Sequence, residues 1–285
     1  ACKTNSNPQQ MKGENMEIII LPITVLLFSF IAIIHKNRFV RLFYFILTII
    51  VLVLTVNVLP EKIPEVQGRE EDPVPVSDLF RIADDVFIDV PVISQLPELQ
   101  RGCEVTSLAM LLNFAGADVD KMELAEKIKK VPFTYKKGGQ IYSGHPNDGF
   151  VGDIRSWKKP GLGAYHRPVY ELAARYLQPG QAIDLTGENF EKVKLYLSHG
   201  KPVWVITNTE YRKLPDSYFR IWNTEKGKIK ITYKEHSVLL TGYDPQYVYF
   251  NDPLTGKKRK APLHDFIASW EQMGRQAITY GDRLH

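Results

Sequence analysis

From about Val86 onward the sequence predicts an α+β domain, and the order of its hydrophobic patterns is the reason. Helical periodicity fills the first half of that stretch, apolar or alternating strand patterns fill the second, and a last helical pattern closes it near residues 263–273. Ahead of the domain lie two long, uncharged apolar runs, so the expected architecture is an α+β domain preceded by a two-helix transmembrane hairpin.

Residues 86–93, VFIDVPVI, alternate and are rich in β-branched side chains, which predicts a short strand interrupted by Pro91. A helix is expected to begin near Cys103. Val105, Leu108, Ala109 and Leu112 recur at helical spacing, Ala115 continues the face and Gly116 supplies a stop. Further helices are expected over 121–130, 168–177 and 190–199. Residues 202–207 form a continuous apolar run suited to a buried strand, and 228–233 alternate like a half-exposed one. A hairpin follows, built from 237–242, a turn at Asp244-Pro245-Gln246, and 247–251. The glycine- and polar-rich stretch 137–163, including Asn147 to Gly152, is long for a loop in a compact domain. It is either a lid or binding loop, or a segment that wraps the surface. No internal repeat is visible.

The apolar runs are 18–34 (IIILPITVLLFSFIAII) and 42–59 (LFYFILTIIVLVLTVNVL), each near the length of a bilayer crossing. A cleavable signal would have a single apolar core, whereas here a second run follows. Lys36, Arg38 and Arg41 lie between the runs, while Glu61, Glu65, Glu70, Glu71 and Asp72 follow the second. The positive-inside bias therefore sets the short loop in the cytoplasm and the C-terminal domain on the extracellular side of a cell membrane. The expected organisation is a polar tail (1–17), a transmembrane hairpin (18–59) in contact with lipid, a Pro- and acid-rich extracytoplasmic linker (60–85) and the folded domain (86–285). At roughly 200 residues that domain is long enough to bury a core of its own.

A formal charge of +4, with lysines spread through the chain, gives a nucleic-acid partner little to stand on. The dense run Lys257-Lys258-Arg259-Lys260 reads as a solvated turn or as a contact for anionic lipid or wall polymer. The histidines lack HxxxH or HxH spacing, and Gly161-Leu-Gly163 lacks the strand, third glycine and helix of a phosphate loop, so neither metal nor cofactor is expected. Two cysteines, Cys2 in the polar tail and Cys103 in the domain, leave no disulfide framework.

Cys103 is either a buried structural cysteine or a nucleophile. A helix N-terminus favours a thiolate through its unpaired N–H groups and dipole, and Cys103 is expected at such a place. A thiol also needs a base, and the base needs a polar group to hold its tautomer. His236 begins a predicted strand and Asp252 ends the next strand of the same hairpin, so the two can lie close, with Asn251 facing the opposite side. His145, His166, His199 and His264 have no such downstream partner.

The segments PVISQ (91–95), GCEVTSLAMLL (102–112), HSVLLTGYD (236–244) and VYFNDP (248–253) resemble the papain-like cysteine peptidases related to the bacteriocin-processing, double-glycine leader peptidases. The likeness is to their stand-alone branch and extends from about Val86 to Tyr280. It implies a papain-like fold with Cys103 as nucleophile, His236 as base, Asp252 as orienting acid and Gln95 as a side-chain donor to the oxyanion, with Gln100 a rival donor. Where the family often has Cys-Gly-Pro or Cys-Gly-Ala, this chain has Cys103-Glu104-Val105. Glu104 would either raise the thiol pKa or face solvent as a first-turn residue.

The leading expectation is therefore a membrane-anchored extracytoplasmic cysteine peptidase or amidase that cleaves a peptide or peptide-like amide through an acyl-enzyme. The alternatives are a catalytically silent peptide- or wall-binding module of the same fold, or an acyltransferase using the same triad. Trp157, Tyr165, Trp204 and Tyr211 either line a cleft or fill the core.

Overall fold

Residues 203–208 are apolar or β-branched almost without a break, and they form the buried centre of the fold. In a computed structural model describing residues 37–58 and 81–282, they make strand β7 (Val203–Asn208), all six residues of which are buried. The chain divides into two compact units, Ala1–Val74 and Pro75–His285.

Four short strands, β2 (Lys130–Val131), β3 (Thr134–Lys137), β4 (Gln140–Ser143) and β5 (Phe150–Val151), pair among themselves as β2 with β5 and β3 with β4. Around β7 the second unit assembles one antiparallel sheet from β6 (Ala182–Asp184), β10 (Glu235–Tyr243), β11 (Tyr247–Asp252), β12 (Lys257–Pro262) and β13 (Ala277–Tyr280), in the order β12-β11-β10-β7-β13-β6. A two-residue strand, β1 (Val86–Phe87), pairs with β10 at Tyr243 and Gly242. Only those two residues of the expected strand 86–93 enter a ladder; beyond them Ile88 N–H donates to Thr241 O at 2.7 Å and Asn251 Nδ2 to Val90 O at 2.9 Å, so single bonds rather than a continued ladder fix the segment.

Helix α2 (Cys103–Phe114) packs on β10 and β7, and its residues from Cys103 to Leu112 are all buried. Leu108, Leu111, Leu112 and Trp204 are fully buried in one shared core, each leucine contributing roughly 1.5–3 kcal/mol of transfer energy. Trp204 Nε1–H donates to Glu104 O at 3.0 Å, and Ser107 Oγ donates to Ser237 O at 3.2 Å. These bonds seat the start of α2 against β7 and the start of β10. Gly102, ahead of the helix, has no room for a side chain, because a Cβ there would lie 2.4 Å from Leu99 Cβ. Its smallness makes room for the Leu99 side chain rather than clearing the sulfur.

Helices α3 (Lys121–Lys127), α4 (His166–Ala173), α5 (Phe190–Ser198) and α6 (Leu263–Gln272) follow the expected patterns with shorter ends. Asp120 caps α3 through Met122 N–H, and Asn189 caps α5 through Lys192 N–H. The half-exposed strand expected over 228–233 is β9 (Gly227–Thr232), which pairs with β8 (Phe219–Thr224) in a separate hairpin. The basic run Lys257-Lys258-Arg259-Lys260 is not a turn but the outer strand β12, exposed at its four cations. Charge on a sheet edge discourages further strand pairing.

In the first unit, helix α1 (Arg38–Val58) covers the second apolar run. Among the described residues no helix is long and apolar enough to cross a membrane. The transmembrane hairpin expected over 18–59 is therefore without support among the described residues: α1 covers 42–58 of its second run, and the run 18–34 lies outside them. The tail 1–17 and linker residues 60–80 also lie outside them.

Candidate active site

Cys103 is the first residue of α2 and His236 the second of β10, and both line one cleft of about 290 Å³. Ser107, one helical turn beyond Cys103, touches the backbone of Ser237, which follows His236, so the helix start and strand start are held together from below. Asp252 is the last residue of β11, the strand hydrogen-bonded to β10. His236 Nε2 lies 2.9 Å from Asp252 Oδ1, and both side chains are buried. With Nε2 engaged on the carboxylate, Nδ1 is the ring nitrogen left for the cleft.

Asp252 is itself held on every side. Tyr211 O–H and Thr255 O–H donate to its Oδ2 at 3.0 and 2.9 Å, Arg259 adds a guanidinium N–H at 3.1 Å, and Leu254 N–H donates to Oδ1 at 2.9 Å. Burial by itself would raise this carboxyl. The hydrogen bonds and the His236 charge outweigh it and hold Asp252 far below the usual carboxylate range. Tyr211 has φ of 52°, a left-handed backbone that a tyrosine adopts only when its surroundings enforce it; its ring packs against Phe250 and Phe266 while its hydroxyl reaches Asp252.

Gln95 is 2% exposed and lines the cleft, its backbone N–H bonded to Pro253 O at 2.8 Å. Its Nε2 donates to Gln100 O at 3.3 Å, which leaves one amide N–H. Gln100 also lines the cleft, but its Oε1 accepts from Trp157 N at 2.6 Å and so ties down the rim segment. That rim is part of 137–163, whose residues Trp157, Pro160, Gly161 and Leu162 line the cleft. Arg101 stacks on Trp157 at 4.3 Å and donates to Asp153 O and Ser156 O, fastening the same rim. Of the four aromatics, Trp157 is on the cleft, Trp204 is core, Tyr211 supports Asp252, and Tyr165 lines a different pocket.

Glu104 does not face solvent. It is 0% exposed, accepts Ala164 N–H on Oε1 at 2.5 Å, and takes the Cys103 thiol on Oε2 at 3.3 Å. Burial pushes its carboxyl up to about 7. Glu235, immediately before His236, brings a second carboxylate oxygen, so that Cys103 Sγ, Glu104 and Glu235 lie within 4.8 Å of one another. Burial and then the Glu104 charge push Glu235 well above the normal range. The thiol is raised too, first by burial and then by these two carboxylates, despite its place at a helix N-terminus and an opposing bond from the Ser237 backbone. Glu235, Thr255 and Arg259 join the site through tertiary contacts. The one local signal for Glu235 was an acid placed directly beside the candidate base.

A thiol opening a central helix, in one cleft with an imidazole–carboxylate pair carried on adjacent antiparallel strands, is the arrangement of the papain-like cysteine peptidases. Residues 87–278 match the Peptidase_C39 like family, and the chain belongs to it. Uncharacterized protein YvpB of Bacillus subtilis (strain 168) is 49% identical over 193 residues, covering 67% of this chain and 74% of that protein. A crystal structure described as a C39-like peptidase from Bacillus anthracis shares 47% identity at a TM-score of 0.68, across 71% of this chain and all of that one.

Proposed function

We propose that the chain is a cysteine peptidase or amidase acting on a peptide or peptide-like amide. The observation that carries this reading is the 2.9 Å contact between His236 Nε2 and the buried Asp252, in a cleft that Cys103 shares. His236 takes the Cys103 proton at Nδ1, and the thiolate forms a bond to the carbonyl carbon. Charge builds on the carbonyl oxygen, where the Cys103 backbone N–H and the remaining Gln95 Nε2–H donate. His236 then returns the proton to the leaving nitrogen as the C–N bond breaks, and water, deprotonated by the same imidazole, releases the acyl group. Asp252 keeps the ring oriented throughout and balances its charge.

One observation favours a silent binding module instead: the thiol is bonded to Glu104 and held above its ordinary pKa. Iodoacetamide labelling against pH decides between the two. A catalytic pair requires labelling near neutral pH that slows at least about tenfold in His236→Ala, and equal, slow labelling of both proteins until about pH 9 or above would sink the hydrolase reading.

We further propose membrane attachment through the N-terminal region, with the domain on the extracellular side. Its support is the pair of uncharged runs at 18–34 and 42–59 and the cationic residues between them. Alkaline carbonate extraction of membranes tests it: release of the full chain into the wash would refute it.

A further inference from the structure

Besides the triad, three residues that line the cleft each carry a buried side-chain oxygen with no hydrogen-bond partner among the described residues: Gln95 Oε1, Thr209 Oγ1 and Glu235 Oε1. All three can accept a hydrogen bond, and two of them only accept when Glu235 is ionised. Thr209 N–H donates to Lys234 O at 2.9 Å, which places Thr209 beside the start of β10 and hence beside Glu235. Glu104 has both oxygens engaged, by Ala164 N–H and the thiol, whereas Glu235 has one left over. The two carboxylates converge on Gly163, where a Cβ would come within 2.4 Å of Glu104 Oε1 and 2.5 Å of Glu235 Oε2. A buried carboxylate oxygen without a donor, next to a second carboxylate, is costly unless a cationic N–H donor meets it.

The position of that donor follows from covalent geometry. An attacked carbonyl carbon must come within about 3–3.5 Å of Sγ. A Glu235 oxygen lies within 4.8 Å of the same sulfur. The α-nitrogen of the acyl residue is two bonds from its carbonyl carbon and falls inside that space, whereas a lysine Nζ is six bonds away and reaches past it. Resting on the hydrolase reading above, we propose that Glu235, aided by Thr209 and Gln95 Oε1, receives the free α-ammonium of the residue whose carbonyl is attacked. The substrates are then peptides or amides with an unblocked N-terminal residue, and the bond cleaved is the one that follows it. Glu235 acts here as a specificity residue; it takes no part in the proton transfers of the triad.

The test uses the full chain with random hexapeptides, free or N-acetylated at the N-terminus, and mass-spectrometric reading of the products. Loss of the first residue from the free set, with kcat/KM at least about tenfold above the acetylated set, is the expected result. In Glu235→Gln that ratio should fall toward one, with Glu235→Asp recovering part of it. The wild-type ratio needs no variant, so a misfolded mutant does not blunt the test. Equal or faster cleavage of the acetylated set overturns this inference and leaves the hydrolase standing. Turnover of neither set overturns both.

Discussion

Replacing Glu104 by glutamine should make the protein more stable in mild alkali and leave it little changed in mild acid. In the fold this carboxyl sits at about 7, against 4.5 for the ordinary group. Between those pH values the native state holds a proton that the unfolded chain releases, so stability falls as pH rises from about 4.5 and the loss is complete above about 7. The gap corresponds to a penalty on the order of 3 kcal/mol at pH 8. Glutamine keeps an oxygen for Ala164 N–H, which Glu104 bonds at 2.5 Å, and removes the charge. For a domain of this size, about 3 kcal/mol is a rise in Tm of roughly 6–12 °C at pH 8, shrinking toward zero at pH 5. Thermal melts of both proteins at half-unit steps from pH 5 to 8.5 measure it. The same variant should label with iodoacetamide at lower pH, because one of the two charges opposing the thiolate is gone. Parallel Tm curves for the two proteins, separated by a constant offset, would refute the argument that Glu104 is a buried carboxyl with a raised pKa.

Four further outcomes are expected. Asp252→Asn should lower kcat by about 10²–10⁴, by offering His236 the wrong partner, with KM for a cleaved peptide nearly unchanged. Since Asp252 is held well below its ordinary pKa, its contribution to stability is present above about pH 3.8 and lost as pH falls further; acid titration followed by circular dichroism should therefore show a shallower acid limb in Asp252→Asn. Gln95→Ala should cost about 10²–10³ in kcat through the lost oxyanion donor, and a change confined to KM would reassign Gln95 to substrate binding. Gly163→Ala should destabilise the domain by about 1–3 kcal/mol in urea unfolding, because its methyl group meets Glu104 and Glu235 at 2.4 and 2.5 Å.

Where the hydrophobic pattern was strong and local, the sequence was readable. Residues 103–114 announce a helix by their spacing, and 202–207 announce a buried strand by an unbroken apolar run; both are the elements on which the cleft is built. The hairpin that brings His236 to Asp252 was legible because its turn, Asp244-Pro245-Gln246, sits between two apolar strands, and Asp244 Oδ1 indeed accepts both Gln246 N–H and Tyr247 N–H. What failed had no local signature. Strand β12 is four cations in a row, and only its pairing with β11 makes it a strand. Strands β6 and β13 are three and four residues long and are defined by one another across a long sequence separation. For Glu104 the sequence leaves open whether it raises the thiol pKa or faces solvent; a neighbouring loop decides for the first, bringing Ala164 N–H onto the carboxylate and burying it beside the sulfur. Arg259 reads like its lysine neighbours, yet in β12, paired across from Phe250, it sends its guanidinium along the strand pair to Asp252 at 3.1 Å.

The expectation that the helix N-terminus would ionise Cys103 fails on magnitudes. Such a terminus stabilises an anion by typically 0.3–1 kcal/mol. A single negative charge at about 4.8 Å opposes it by roughly 3 kcal/mol at an effective dielectric of about 20, and two carboxylates lie within 4.8 Å of the sulfur. Burial opposes the thiolate first and these charges add to it, so the thiol rests protonated, with its hydrogen bond directed at Glu104 rather than free for the imidazole. Ionising it requires that the local negative charge be lowered first, either by protons on the Glu104–Glu235 pair or by a cation placed against Glu235. The first route predicts that the rise of labelling with pH comes at lower pH when Glu104 or Glu235 is replaced by its amide. The second predicts that a substrate ammonium both anchors the chain and brings the thiol within reach of His236, so that affinity and reactivity decline together when that amine is acetylated.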